Sequence, residues 1–181
     1  EELGLARNTI VIFLSDNGMP FPRGKATLYD FGIKTPLIFH WEGNVSEGVE
    51  YDNMISVIDL APTILDVAEA EKSDNMFGKS IKTIFTDQSV QGREYIFAER
   101  NWHDTDAHMR CVRSGSYKLI INGYPELLFP LTGDYPNSET WWELLEAKRA
   151  NRLNKFQETI FEYPRYKIEL YDLKNDPYEV Y

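Results

Sequence analysis

The chain has 181 residues, a net charge of −10, 43% apolar side chains, and 11 Tyr, 10 Phe and 4 Trp. An aromatic-rich chain of this length can bury a sizeable core in one or two domains, which excludes a disordered class. The acidic balance excludes non-specific binding to nucleic acid or an anionic membrane, leaving any cationic cleft to a local cluster. The single Cys111 excludes an internal disulfide framework, and no apolar stretch approaches the ~18–20 residues that span a bilayer.

In chain order, Glu1 to Asn8 reads as the tail of a helix and a short loop, an opening in mid-element that leads us to expect an N-terminal portion ahead of it. The run Thr9-Ile10-Val11-Ile12-Phe13-Leu14 lacks polar alternation and predicts a strand buried on both faces, as in a parallel sheet. A Gly- and Pro-rich loop over 15–35 leads to a second apolar strand, Pro36 to Trp41. Asp59 is placed to cap a helix running to about Ala70, with Leu60, Ile64, Val67 and Ala68 on one stripe. Residues 71–92 are polar loop with an apolar patch at 80–85. Beyond Arg93 the pattern changes: a strand at Tyr95–Glu99, a hairpin pairing Met109–Arg113 with Tyr117–Ile121 around Ser114-Gly115-Ser116, a helix capped by Ser138, and an alternating strand at Ile168–Leu173. The expected organisation is an α/β part over 1–92, with mostly parallel strands, and a smaller antiparallel α+β part over 93–181.

Ser15-Asp16-Asn17-Gly18 directly follows the first strand. Ligands of α/β sheets gather beyond the carboxyl ends of strands. A carboxylate and a carboxamide there offer two hard oxygens for Ca²⁺ or Mg²⁺, and Lys25, nine residues on, offers a cation to an anionic substrate. The same residue types also make an ordinary β-turn, and Arg23 and Lys25 also suit a solvated surface.

Three blocks carry a family resemblance. Thr9 to Gly18, then Gly24-Lys25-Ala26-Thr27-Leu28-Tyr29-Asp30-Phe31-Gly32-Ile33-Lys34-Thr35-Pro36-Leu37-Ile38, then Val57 to Leu65, resemble the C-terminal half of type I sulfatases, members of the alkaline-phosphatase-like superfamily. Met19-Pro20-Phe21-Pro22, Met109-Arg110, Tyr117-Lys118-Leu119-Ile120, Phe129-Pro130-Leu131 and Glu169-Leu170-Tyr171-Asp172-Leu173 with Asp176-Pro177 are similar more narrowly to the heparan N-sulfatases, or sulfamidases. The resemblance implies the C-terminal part of a sulfatase fold. It implies Asp16 and Asn17 as ligands of a divalent ion, usually Ca²⁺, and Lys25 as the catalytic cation that contacts sulfate or sulfamate oxygens. Sulfamidases commonly carry Arg there, so this chain keeps the charge but loses the two-pronged fork. His103, Arg110 and Glu99 are implied as substrate-pocket residues; for His103 and Glu99 a plain surface role stands beside that one.

Sulfatases carry C-x-P-x-R or S-x-P-x-R, whose Cys or Ser becomes formylglycine. None of the nine prolines here has Cys or Ser two positions earlier, and Cys111 reads as a small buried residue. The nucleophile is therefore expected in an N-terminal half of the same protein, and the chain alone is expected to be inactive. The implied substrate is a sulfated sugar of the glycosaminoglycan type, N-sulfated glucosamine first. Rival readings are an O-sulfated sugar or aryl sulfate, a phosphatase of the wider superfamily, which three His residues disfavour, and a non-catalytic sugar- or partner-binding domain using Trp102, Trp141 and Trp142. Homo-oligomer formation through exposed strand edges is a further expectation. The resemblance implies a lysosomal, periplasmic or secreted location for the full-length protein.

Overall fold

The computed structural model describes residues 2–129, 133 and 135–181. Of the Phe129-Pro130-Leu131 match, Pro130 and Leu131 lie outside the described residues. The chain forms two units: Glu1–Leu14 with Leu37–Ile96, and Ser15–Pro36 with Phe97–Tyr181. The expected division at 92/93 thus becomes a discontinuous one. The loop 15–36 joins the second unit because Arg23, Thr27, Leu28 and Tyr29 are buried there.

In the first unit, β1 (Val11–Leu14) and β2 (Leu37–His40) pair antiparallel, from Val11 opposite His40 to Leu14 opposite Leu37. The expected parallel pairing is corrected here. A parallel pair needs a crossover, usually a helix that carries the chain back along the sheet. Residues 15–36 hold only the four-residue helix α1 (Asp30–Ile33) and belong to the other unit. Burial on both faces is corrected too, since Val11, Phe13 and Ile38 of this two-stranded ribbon are exposed. An apolar run reports the lack of polar alternation, not strand direction or what covers it.

Helix α2 (Leu60–Val67) follows a 3-10 turn at Val57–Asp59. Asp59 stands at the N-cap position of α2 as expected, but its side chain makes no cap bond to that helix. It has helical dihedrals, whereas Ser56 is extended, and the Asp59 carboxylate reaches back to the Ser56 N–H at 3.0 Å. The same buried carboxylate accepts from the Lys79 N–H at 2.7 Å and from both Nε and Nη2 of Arg93, so one side chain ties 56, 79 and 93 together. Thr63 continues the junction, donating to the Asp59 carbonyl and accepting from the Ile81 N–H at 3.0 Å. Phe85 and Ile81 are buried beside it, with the Phe85 ring 5.0 Å from that of Phe39.

The second unit is built on a four-stranded sheet in the order β3 (Ile96–His103), β4 (Thr105–Ser114), β5 (Tyr117–Asn122), β6 (Ile168–Asp172). The β4–β5 hairpin turns through Gly115 at φ +56°, a left-handed position that glycine adopts freely, and pairs Ser114 with Tyr117 and Met109 with Asn122. Strand alternation turns Ala107, Met109, Cys111, Ile120 and Tyr171 inward, where they meet Leu28, Tyr29, Phe129, Leu144 and Ile160. Helix α3 (Glu139–Arg149) starts at Ser138, whose hydroxyl accepts from the Trp141 N–H at 3.2 Å. Helix α4 (Lys155–Glu158) opens with a reciprocal Asn154–Gln157 box, both bonds 2.9 Å, which the sequence reading passed over. Among the described residues no helix is long and apolar enough to cross a membrane.

Burial alone would raise the Asp59 carboxyl, but Arg93 and the N–H groups of Lys79 and Ser56 outweigh it and hold the group below its ordinary value. Its contribution is therefore complete above the unfolded value of about 3.9 and is lost as pH falls through the lower folded one. Arg93→Ala should cost about 3 kcal/mol in urea unfolding at neutral pH, and the gap to wild type should narrow in acid; a loss below about 0.5 kcal/mol would refute the hub role. Gly18 packs against backbone: a Cβ there would lie 1.9 Å from the Phe31 carbonyl oxygen and 2.8 Å from the Gly32 Cα. Gly18→Ala should destabilise by about 1–3 kcal/mol, and an unchanged midpoint would show that the loop is not packed this way.

Candidate functional site

The loop after β1 is shaped by its own backbone. Ser15 Oγ donates to the Asn17 carbonyl at 2.7 Å, Gly18 N–H to the Gly32 carbonyl at 2.9 Å, and Lys25 N–H to the Met19 carbonyl at 2.9 Å. Lys25 is thereby folded back beside residues 17–20. Ser15, Asn17, Gly18, Met19, Pro20 and Lys25 line one cavity of about 450 Å³. Asp16 is exposed and outside that lining, and its Oδ1 accepts from Asn17 Nδ2 at 2.5 Å. That bond is the main cause holding the Asp16 carboxyl below its usual value, and the charge of Lys25 pulls the same way. The carboxylate is thus ionised throughout the physiological range.

Asp16 and Asn17 suit a hard cation in donor chemistry. They supply two oxygens, whereas Ca²⁺ takes six to eight. Among the described residues no cluster of three or more His, Cys, Asp or Glu gathers that could hold a metal ion. Ion binding at this pair would also need the Asn17 carboxamide to turn, because its amide N–H₂, not its oxygen, faces Asp16.

The other candidates sit on the sheet of the second unit. Glu99 on β3 and Arg110 on β4 face one another, with Arg110 Nε 3.3 Å from Glu99 Oε2. Both are well exposed, so this pair contributes little to stability and leaves both groups open to a ligand. His103 ends β3, with Nδ1 3.1 Å from Asp104 Oδ2. That carboxylate also accepts the Gly133 N–H at 2.8 Å, which is the largest cause of its lowered pKa. The hydrogen bonds of Glu99, His103 and Arg110 thus run to one another's strands and turns, while those of Asp16 and Asn17 stay within the loop.

What joins loop and sheet went unread in the sequence: a set of buried charges. Arg23 is only 2% exposed, with its guanidinium carbon 3.6 Å from the centre of the Tyr29 ring and Nη1 donating to Thr159 Oγ1 at 2.9 Å. Lys118, fully buried, donates to the Leu28 carbonyl at 3.3 Å and pairs with Asp30 and with Glu179 at 2.7 Å. Arg100, 7% exposed, donates to the Ala26 carbonyl and to the His103 carbonyl at 2.9 Å. Tyr29 and Tyr171 both donate to the buried Glu169, at 2.8 and 2.6 Å. One signal was available: Lys118 shares the parity of Ile120 in β5, so alternation alone puts it on the inner face. Cys111 is buried, and burial pushes its thiol up to about 11, so it is an inert packing residue as expected.

Comparison with known proteins gives the family and the fold. Residues 23–128 match the family model described as N-sulphoglucosamine sulphohydrolase, C-terminal. An ulvan-active sulfatase of Formosa agariphila is 33% identical over 99% of this chain and 30% of its own length. The human N-sulphoglucosamine sulphohydrolase is 29% identical over 98% of this chain and 38% of its own. The chain thus spans about a third of the length of the curated relatives it matches. A solved structure of BT4656 in complex with its substrate D-glucosamine-2-N,6-O-disulfate superposes with a TM-score of 0.68 at 21% identity, over 99% of this chain and 30% of that one. The expected architecture, the C-terminal part of an alkaline-phosphatase-like sulfatase fold, therefore holds. With more than half of its residues under the matching model, the chain belongs to the N-sulphoglucosamine sulphohydrolase C-terminal family.

Proposed function

We propose that this chain supplies part of the active site of a sulfatase that hydrolyses sulfate esters or sulfamates on sugars of the glycosaminoglycan type, with N-sulfated glucosamine as the preferred substrate. The observation that carries the reading is one cavity lined by both Lys25 and Asn17, with Asp16 hydrogen-bonded to Asn17, on a loop that runs into the family match. The human relative is named for N-sulphoglucosamine, which supports the sulfamate. A second reading, an O-sulfated glycan, is supported by a solved structure described as a 2-O GAG sulfatase, and the relative named as ulvan-active, whose identity is somewhat higher, also points to a glycan other than N-sulfoglucosamine.

In this reading Lys25 directs its ammonium at the sulfate oxygens and offsets the charge that builds on them as the S–N or S–O bond breaks. Asp16 and Asn17 would hold a divalent ion, Ca²⁺ or Mg²⁺, together with donors from elsewhere in the full-length protein. Such an ion would neutralise the same oxygens. Glu99 and Arg110 are free to exchange their mutual bond for sugar hydroxyls, and His103 stands ready as a hydrogen-bonding partner braced by Asp104. The nucleophile, a formylglycine in this class, would come from outside this chain.

The test is a substrate panel on the full-length protein: N-sulfoglucosamine, an O-sulfated sugar and 4-nitrophenyl sulfate. N-sulfoglucosamine should show the highest kcat/KM, and a preference for the O-sulfated sugar would favour the second reading. Asp16→Ala should lower kcat about 100-fold or more and raise the Ca²⁺ concentration needed for half-maximal activity; normal turnover by that variant removes the ligand assignment. Lys25→Ala should lose about 100- to 1,000-fold in kcat, while Lys25→Arg, which keeps the charge, should stay within about tenfold of wild type. Equal losses for the two would show that the charge at Lys25 is not what matters.

A further inference from the structure

We propose that Arg100 is a positioning residue that holds the Lys25 loop and the His103 turn in one fixed frame. The inference rests on the sulfatase reading for its kinetic consequence, but its structural content stands apart from it. The Arg100 guanidinium donates one Nη to the carbonyl of Ala26, the residue after Lys25, and the other to the carbonyl of His103 itself. One planar, rigid fork therefore fixes the backbone at both candidates.

The backbone at both ends of this bridge needs holding. Ala26 sits at φ +63°, and Asp104, the residue after His103, at φ +58°. Both are left-handed positions without glycine, which cost of order 1 kcal/mol each and persist only where the surroundings over-determine them. The Arg100 fork meets the peptide unit beside each of them. Strain of this kind collects at ligand-binding segments, where it keeps a side chain aimed.

Stability alone does not explain a buried guanidinium here. Arg100 Nε is buried with no hydrogen-bond partner among the described residues, and burial outweighs the compensating charge of Asp104. Arg165 is a useful contrast within the same unit: it is also buried, and it donates to the Leu127 and Tyr124 carbonyls rather than to Ala26 or His103.

The experiment compares Arg100→Lys, Arg100→Met and Arg165→Lys in the full-length protein, by crystal structure without substrate and by steady-state kinetics. Arg100→Lys keeps the charge but can reach only one of the two carbonyls, so it serves if Arg100→Met does not fold. Its structure should show Ala26 and His103 shifted relative to each other by about 1 Å, and its kcat/KM should fall about 100-fold with a raised KM. Arg165→Lys, with a similar change in thermal midpoint, should keep the wild-type KM. An Arg100→Lys structure in which the Lys25 loop and the His103 turn superpose on wild type overturns the proposal whatever the activity, and so does a KM equal to that of Arg165→Lys. Wild-type protein that hydrolyses none of the sulfated substrates would instead refute the sulfatase reading, while the structural comparison still decides the role of Arg100.

Discussion

Lys118 has no exposed surface, and the loop that carries the candidate site is docked around it. Its ammonium stands between the carboxylates of Asp30 and Glu179 and reaches the Leu28 carbonyl. Asp30 is held a second time by Arg113 at 2.8 Å, and Glu179 closes the ring by accepting the Asp30 N–H at 2.7 Å. Burial pushes the Glu179 carboxyl upward against the pull of Lys118, which shows how much desolvation the ring has to offset. Such a network stabilises only when complete. Removal of one partner leaves an uncompensated buried charge, at a cost of about 3–5 kcal/mol.

The consequence for the site is rigidity without bulk. The loop 15–36 contributes Leu28 and Tyr29 to the buried apolar cluster and packs Ile33 against it, too little to hold more than twenty residues by hydrophobic contact alone. Charge and close backbone contact do the remainder. Arg23 lies over Tyr29, Thr27 Oγ1 lies 2.7 Å from the Arg23 carbonyl, and Gly18 and Gly32 let two stretches of backbone touch. Asp16, exposed, and Lys25, half-buried, can then line up with a ligand on a loop whose backbone is held. Preorganised charge of this kind is what a reaction on a sulfate group requires, because it adds no reorganisation when the bond breaks.

Much of this was legible from the residues, and the rest was not for identifiable reasons. Turn chemistry and helix caps are local, so the Gly115 hairpin and the Ser138 cap could be read directly. The position of Asp16, Asn17 and Lys25 around one loop followed from sequence distance. Strand direction was misread because β1 is an apolar tetrapeptide with no record of its partner, and the pairing with β2 depends on where the intervening loop goes. The cap position of Asp59 is legible from its residue type, but what its carboxylate bonds to depends on Arg93, 34 residues away. Arg23 and Arg100 look like ordinary surface cations. Only the meeting of segments about 75 to 155 residues apart turns them into buried clamps.

The central claim is that the site loop is an integral, charge-docked part of the second unit. Native-state hydrogen exchange reads this directly, through the amides of Gly18, Lys25 and Gly32, which donate to Gly32, Met19 and Tyr29 carbonyls. The account predicts that these amides are protected to nearly the same free energy as Ile120 in the central strand β5, and that Lys118→Met strips protection from 15–36 before it affects the sheet. Exchange of the loop amides at the rate of an open surface segment, while Ile120 stays protected, would contradict it.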